Sequence, residues 1–237
     1  AGVTITPKTP LHFVPEEYGL SSAHLKRIDS IALDGIRQGA YPGCQVVVLK
    51  NGHIMFDKAF GTYTGKGSPR VESTNIYDLA SLSKTTGTLL AIMKLYDKGR
   101  FNLTDKISDH LPFLQRTDKK DITIQEILYH QSGLPSWIPF YQEAIDKDSY
   151  DGRLFSARKD VHHPVQIGTT TWANPKFKFK SEYISPVKTG DYTVQICDSL
   201  WLNRSFRKVI EEKIAEAPLK QKRYVYSDVG FILLGML

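Results

Sequence analysis

The chain has 237 residues, 41% of them hydrophobic, enough for one large domain or two lobes with a buried core. Its 31 basic and 25 acidic residues leave a net charge of +6, and they are dispersed along the sequence. The one basic cluster, Lys220, Lys222 and Arg223, is followed by Tyr224 and Tyr226 rather than interleaved with aromatics; it reads as a solvated loop and sets nucleic-acid binding aside.

No apolar run approaches the ~20 residues that span a bilayer. No basic-then-apolar leader opens the chain, so an exported protein would be represented here by a mature or trimmed form. Residues 1 to 18 hold three prolines and little periodicity, which predicts an N-terminal arm or linker entering from something upstream. Residues 19 to 237 are expected to belong to one domain.

The first predicted helix is capped by Ser21 or Ser22 and places Leu25, Ile28, Ile31, Ala32 and Ile36 at helical spacing before Gly39. Two β-rich runs follow, Cys44 to Lys50 and His53 to Phe60, joined by Asn51-Gly52, the strongest short-range hairpin signal. Next, Ser81-Leu82-Ser83-Lys84 opens an apolar helical run from Thr88 to Tyr96. Further on, Thr123 and Glu126 have the spacing of a capping box, Leu128 and Tyr129 continue that short helix, and Gly133 is a natural terminator.

The stretch from Ile138 to Lys180 predicts loops with short elements, and Asn203 to Ala217 a largely solvated helix. The chain ends in an apolar run from Val229 to Leu237 that Ser227 or Asp228 can cap. That run has no terminating signal, so a further C-terminal portion is expected beyond Leu237.

The chemistry concentrates at Ser81 and Lys84. Three residues apart on a helix, a hydroxyl and an amine share one face as candidate nucleophile and base. The chain holds four Ser-x-x-Lys patterns. Ser156/Lys159 lies in a polar stretch, Ser185/Lys188 contains Pro186, and Ser205/Lys208 lies in the charged helix. Only the Ser81 copy is followed by an apolar run able to bury a helix. Burial is expected to lower the Lys84 pKa and to favour a neutral amine.

Cys44 and Cys197 form no metal-like or redox-like pair, and a disulfide between them is not indicated. The adjacent His162 and His163 lack a His-Glu-x-x-His helix, so no metal site is expected.

Three patches stand in order: Ser81-Leu82-Ser83-Lys84, His130-Gln131-Ser132-Gly133-Leu134-Pro135 and Tyr226-Ser227-Asp228-Val229-Gly230-Phe231. Together they resemble the serine β-lactamase and penicillin-binding-protein superfamily, closest to its class C-like and esterase-like branch, over about Leu20 to Leu237. The resemblance implies an α/β (α+β) fold of the β-lactamase/transpeptidase type, an antiparallel sheet flanked by helices plus a helical lobe, with the Ser81 helix between them. The sheet is expected to be incomplete in this chain, with its remaining strands beyond Leu237.

It further implies acyl transfer through a serine ester by a bacterial, periplasmic or secreted hydrolase without cofactor or metal. Ser81 would attack a carbonyl, Lys84 and Tyr226 would handle the proton, and the Ser81 N–H would serve a developing oxyanion. Which of Lys84 and Tyr226 is the base stays open. A phenolate at Tyr226 would need a nearby cation such as Lys84. Asp228 stands where the family more often has Asn, and ionised Asp only accepts hydrogen bonds. It could orient Lys84, but a donated hydrogen bond to a substrate amide carbonyl would be lost, which tells against penicillin-type recognition and leaves ester or amide hydrolysis open.

Lys188-Thr189-Gly190 looks like the family's Lys-Thr-Gly motif but precedes Tyr226, so it is assigned to an insertion. His130 reads as part of a structural turn, since no carboxylate is placed to orient it. The expected substrate is a peptidoglycan-type peptide, a β-lactam or an ester, with this stretch of chain alone weak or inactive. A non-catalytic binding or sensing module of the same fold, attached to a fused upstream enzyme domain, is the alternative.

Overall fold

A computed structural model describes residues 13–237, so most of the arm expected over residues 1 to 18 lies outside the described residues. Its remainder contains a 3-10 turn at Pro15–Tyr18, where the rings of Phe13 and Tyr18 pack on His53. The described residues divide into two compact units, one up to Leu79 and the other Ala80–Leu237. Both mix helices with antiparallel strands.

In the first unit, Ser21 caps α1 (Ser22–Leu25) by accepting the His24 N–H, and a tighter turn at Lys26 leads into α2 (Arg27–Arg37). The buried stripe of α2 centres on Ala32 and Gly35, not on Ile31, which is 68% exposed. The reason is Tyr41, whose hydroxyl donates to the Ala32 carbonyl and whose ring fills the space that a Cβ at Gly35 would need. Strands β1 (Gly43–Lys50) and β2 (His53–Gly61) form the expected hairpin, with a register irregularity after Val48. Asn51 and Gly52 both adopt positive φ, as the two central residues of a type I′ turn must. Lys58 on β2 reaches Asp29 on α2 at 2.8 Å.

The second unit begins with Ala80 at φ +43° and Ser81 in the turn that starts a helix. After Leu82 and Ser83 this helix widens into a π-helical turn at Lys84–Thr88, then continues as α3 (Leu89–Asp97). The Thr85 and Thr86 hydroxyls both donate to the Leu82 carbonyl, drawing it from the regular ladder, and the Leu89 N–H bonds five residues back to Lys84. Such π-turns are frequent at functional sites.

Two short helices follow, α4 (Ile107–His110) and α5 (Ile124–Leu128). Both bonds of the capping box are made: the Thr123 hydroxyl accepts the Glu126 N–H, and the Glu126 carboxylate accepts the Thr123 N–H. The helix stops three residues earlier than Gly133 suggests, because His130 itself takes the left-handed conformation, φ +55°. Ile138 to Lys180 is indeed loops and short elements. There β3 (Ile145–Asp146) pairs with β7 (Lys178–Phe179), and β4 (Phe155–Ser156) and β5 (Val165–Gly168) flank β6 (Thr171–Ala173). Next come β8 (Ile184–Ser185), β9 (Tyr192–Cys197) and β10 (Leu200–Asn203) in a sheet with β10 central.

Helices α6 (Phe206–Glu216) and α7 (Asp228–Leu234) complete the unit. Its core joins Ile92 of α3, Ile107 of α4, Ile124 and Ile127 of α5, Ile214 of α6, and Val229, Leu233 and Leu234 of α7. Gly230 lets α7 lie close on α5, since a Cβ there would meet the Ile127 side chain at 2.9 Å. This packing brings the start of α7 beside the π-turn that carries Lys84.

Candidate active site

Ser81, Lys84, Tyr226 and Asp228 converge in the second unit. Ser81 and Lys84 come from one helix start, where Lys84 Nζ donates to Ser81 Oγ at 3.3 Å. The other three Ser-x-x-Lys patterns are differently engaged. Ser156 Oγ donates to the Arg158 carbonyl and Ser185 Oγ to the Val187 carbonyl, while Ser205 opens α6 with its carbonyl on the Lys208 N–H. Tyr226 and Asp228 arrive from the extended segment before α7 and from its first residue. Asp228 Oδ1 lies 2.7 Å from Lys84 Nζ, and Lys84 Nζ lies 5.2 Å from the Tyr226 ring centroid.

The electrostatics correct one expectation. Lys84 is held above its ordinary pKa, first by the hydrogen bond to the Asp228 carboxylate, although partial burial acts in the opposite sense. Its side chain is 18% exposed, not dry enough for burial to outweigh a carboxylate in contact. Lys84 is therefore an ammonium at neutral pH and donates to Ser81 Oγ. Tyr226 shifts the other way: hydrogen bonds from the Ser81 hydroxyl and then from Lys84 hold its phenol below the usual value of about 10. Of the two groups left open as base, Tyr226 is the one shifted toward its deprotonated form, whereas Lys84 is shifted away from it.

Asp228 is not the helix cap. That role belongs to Ser227, whose hydroxyl accepts the Gly230 N–H and donates to the Pro135 carbonyl. With one oxygen on Lys84, Asp228 serves the site by fixing the ammonium. Ser81 heads the helix, where backbone N–H groups lack intrahelical acceptors, so its N–H is a candidate oxyanion donor.

The middle patch proves to be a platform for the third. The Lys220 N–H bonds to the Gly133 carbonyl, the Val225 N–H to the His130 carbonyl, and the Asp228 N–H to the Ser136 carbonyl. The Ser227 N–H donates to His130 Nδ1 at 3.0 Å, and Lys222 pairs with Glu126 on α5. Gly133 is required there: at φ +79°, a Cβ would come within 2.3 Å of the Lys220 carbonyl oxygen. The His130 ring lies 4.6 Å from that of Tyr226, tilted by 36°. This contact has no signature in the sequence, because its members are almost a hundred residues apart.

Lys188-Thr189-Gly190 lies on the turn before β9, with Lys188 over the Trp201 ring and Thr189 bridging Tyr192. Cys44 and Cys197 are both free thiols. Among the described residues, no cluster of three or more His, Cys, Asp or Glu could hold a metal ion, and no helix is long and apolar enough to cross a membrane.

A serine, a lysine ammonium and a tyrosine phenol joined in this way at a helix start, within a mixed helical and antiparallel-sheet chain, define the β-lactamase/transpeptidase-like class. The comparisons agree: the family model described as Beta-lactamase matches residues 28–237, and the chain belongs to that family. Members of the family are generally serine hydrolases.

Protein flp of Staphylococcus aureus (strain MW2) is 31% identical over 223 residues, covering 91% of this chain and 43% of flp. A Salmonella agona (strain SL483) protein named "Putative D-alanyl-D-alanine carboxypeptidase" is 32% identical over 160 residues, 62% of this chain and 36% of that protein. The chain thus spans less than half the length of these relatives. The octameric penicillin-binding protein homologue from Pyrococcus abyssi has the same fold with a TM-score of 0.53 at 20% identity, over 90% of this chain and 38% of its own.

Proposed function

We propose that this protein is a serine hydrolase that forms an acyl-enzyme on Ser81, with Tyr226 as the base. The observation that carries the reading is the relay of contacts in which Lys84 touches Ser81 Oγ on one side and Asp228 on the other, beneath a phenol of lowered pKa. The reaction starts from the Tyr226 phenolate: Ser81 Oγ attacks the substrate carbonyl carbon, and the hydroxyl proton passes to the phenolate oxygen, which becomes a phenol. The carbonyl oxygen gains the negative charge and is met by the Ser81 N–H. Collapse of this adduct breaks the bond to the leaving group, which takes the proton from Tyr226 as it departs. Water then repeats the sequence on the Ser81 ester and releases the acid. Lys84 remains a cation throughout and lowers the cost of charge on the phenol oxygen.

Within the expected substrates, a peptidoglycan-type peptide, a β-lactam or an ester, an ester fits best. Asp228 is an acceptor engaged by Lys84 and offers no donor to a substrate amide carbonyl. An exported, bacterial setting suits this substrate range and is part of the same proposal.

The test is intact-protein mass spectrometry after incubation with a penicillin and, separately, with an activated ester, beside Ser81→Ala. An adduct of one acyl group that is lost in Ser81→Ala and decays with time is the expected result. A persistent adduct would instead indicate a sensing module, and no adduct with either reagent would overturn the reading.

A further inference from the structure

We propose that His130 is a positioning residue for Tyr226, its Nδ1 serving as an obligatory acceptor that fixes the phenol over Ser81 and Lys84. The inference rests on the reading of Tyr226 given above. Its first support is that the backbone on both sides of the tyrosine is tied to this one residue. The Val225 N–H donates to the His130 carbonyl at 2.8 Å and the Ser227 N–H to His130 Nδ1 at 3.0 Å. A residue whose two flanking amides share one anchor has little freedom to swing.

The second support is the ring, which wedges between aromatic side chains at 4.6 Å from Tyr226, 5.4 Å from Phe231 and 6.2 Å from Tyr224. The third is the backbone: φ +55° at a residue with a Cβ is an uncommon conformation.

A backbone N–H pointing at Nδ1 fixes the tautomer. Nδ1 must carry the lone pair, so the ring proton is on Nε2 and the imidazole is neutral. His130 is accordingly not a general base, because the nitrogen that could accept a proton is occupied by Ser227. Protonation would set an Nδ1–H against the Ser227 N–H and release the segment. The charged and titratable groups around the ring are Lys84, Asp228, Tyr224 and Tyr226. Burial and then the Lys84 charge hold the imidazole pKa below its usual value, while Asp228 acts in the opposite sense.

Two variants of the chain separate positioning from mere packing. His130→Asn keeps an acceptor where Nδ1 lies, tolerates the left-handed backbone and does not titrate in this range. His130→Ala removes both ring and acceptor. The readouts are the Tyr226 phenol titration, from the tyrosinate absorbance that Tyr226→Phe removes, and the pH profile of Ser81 acylation by an activated ester. Histidine ring nitrogens are followed by NMR in the unsubstituted protein.

The expected results are an Nε2–H tautomer at neutral pH and, besides the limb set by Tyr226 as base, a further loss of acylation rate in acid that coincides with the His130 titration. His130→Asn should abolish that further loss while rescuing the neutral-pH rate. His130→Ala should be slower by about tenfold, with its Tyr226 titration moved up toward about 10. An Nδ1–H tautomer, persistence in His130→Asn of the loss of rate that coincides with the His130 titration, or an unmoved Tyr226 titration in His130→Ala would overturn the proposal. Should Ser81 fail to acylate at all, the hydrolase reading falls, and the tautomer and the phenol titration still decide the role of His130.

Discussion

Replacing Gly133 by alanine should damage both stability and the site, because one atom is added where two segments meet. The new Cβ carries a cost of about 1–2 kcal/mol for the left-handed backbone at φ +79°. It also lies 2.3 Å from the Lys220 carbonyl oxygen, a backbone atom that cannot rotate away. The segment must therefore retreat, and the Lys220 N–H to Gly133 carbonyl bond, worth about 1 kcal/mol, is lost with it.

The expected destabilisation of Gly133→Ala is about 3 kcal/mol, read from the urea midpoint at constant slope. Gly152→Ala is the internal control: its φ is +76°, but nothing lies within 4 Å of its Cβ, so it should cost only about 1–2 kcal/mol. Because the retreating segment leads to Tyr226, Gly133→Ala should also slow acylation of Ser81 under conditions where the variant is folded. Equal urea midpoints for the two variants, together with unchanged acylation, would refute the argument that this close approach holds the segment in place.

Two further outcomes follow from the charged groups. Asp228→Asn removes the main cause of the raised Lys84 pKa, so the Lys84 titration followed by NMR should move down, with slower Ser81 acylation; an unmoved Lys84 titration would show that Asp228 does not set it. Lys119 is fully buried, with Nζ on Asp118 and on the Ala215 carbonyl, so Lys119→Met should cost about 2 kcal/mol in urea unfolding at pH 7. Asp118 is held below its ordinary pKa, first by Lys119, so its contribution is present above about pH 4 and is lost as pH falls through the folded value. The gap between Lys119→Met and the unsubstituted protein should accordingly narrow in acid, and a gap independent of pH would argue against the pairing.

The sequence by itself determined the features whose causes are local. Asn51-Gly52 fixes a hairpin because only residues tolerant of positive φ can turn a two-residue loop. Thr123 and Glu126 cap α5 because each side chain reaches the other's amide. Ser81 and Lys84 touch because helical spacing puts them on one face. The order of three patches was enough to mark the family, since that comparison needs no geometry.

Tertiary structure decided what depends on contacts between distant segments. Periodicity alone placed Ile31 in the buried stripe of α2, but the Tyr41 ring chose Ala32 and Gly35. The apolar helix after Ser81 suggested a neutral Lys84, yet α7 delivers a carboxylate to within 2.7 Å and the amine stays charged. His130 read as a turn residue, and it became the anchor of Tyr226 only once α7 had packed on α5 and drawn the segment from Lys220 to Asp228 along the loop from His130 to Ser136. Local rules set conformation within a few residues; charge state and position at the site depend on which side chains the fold brings together.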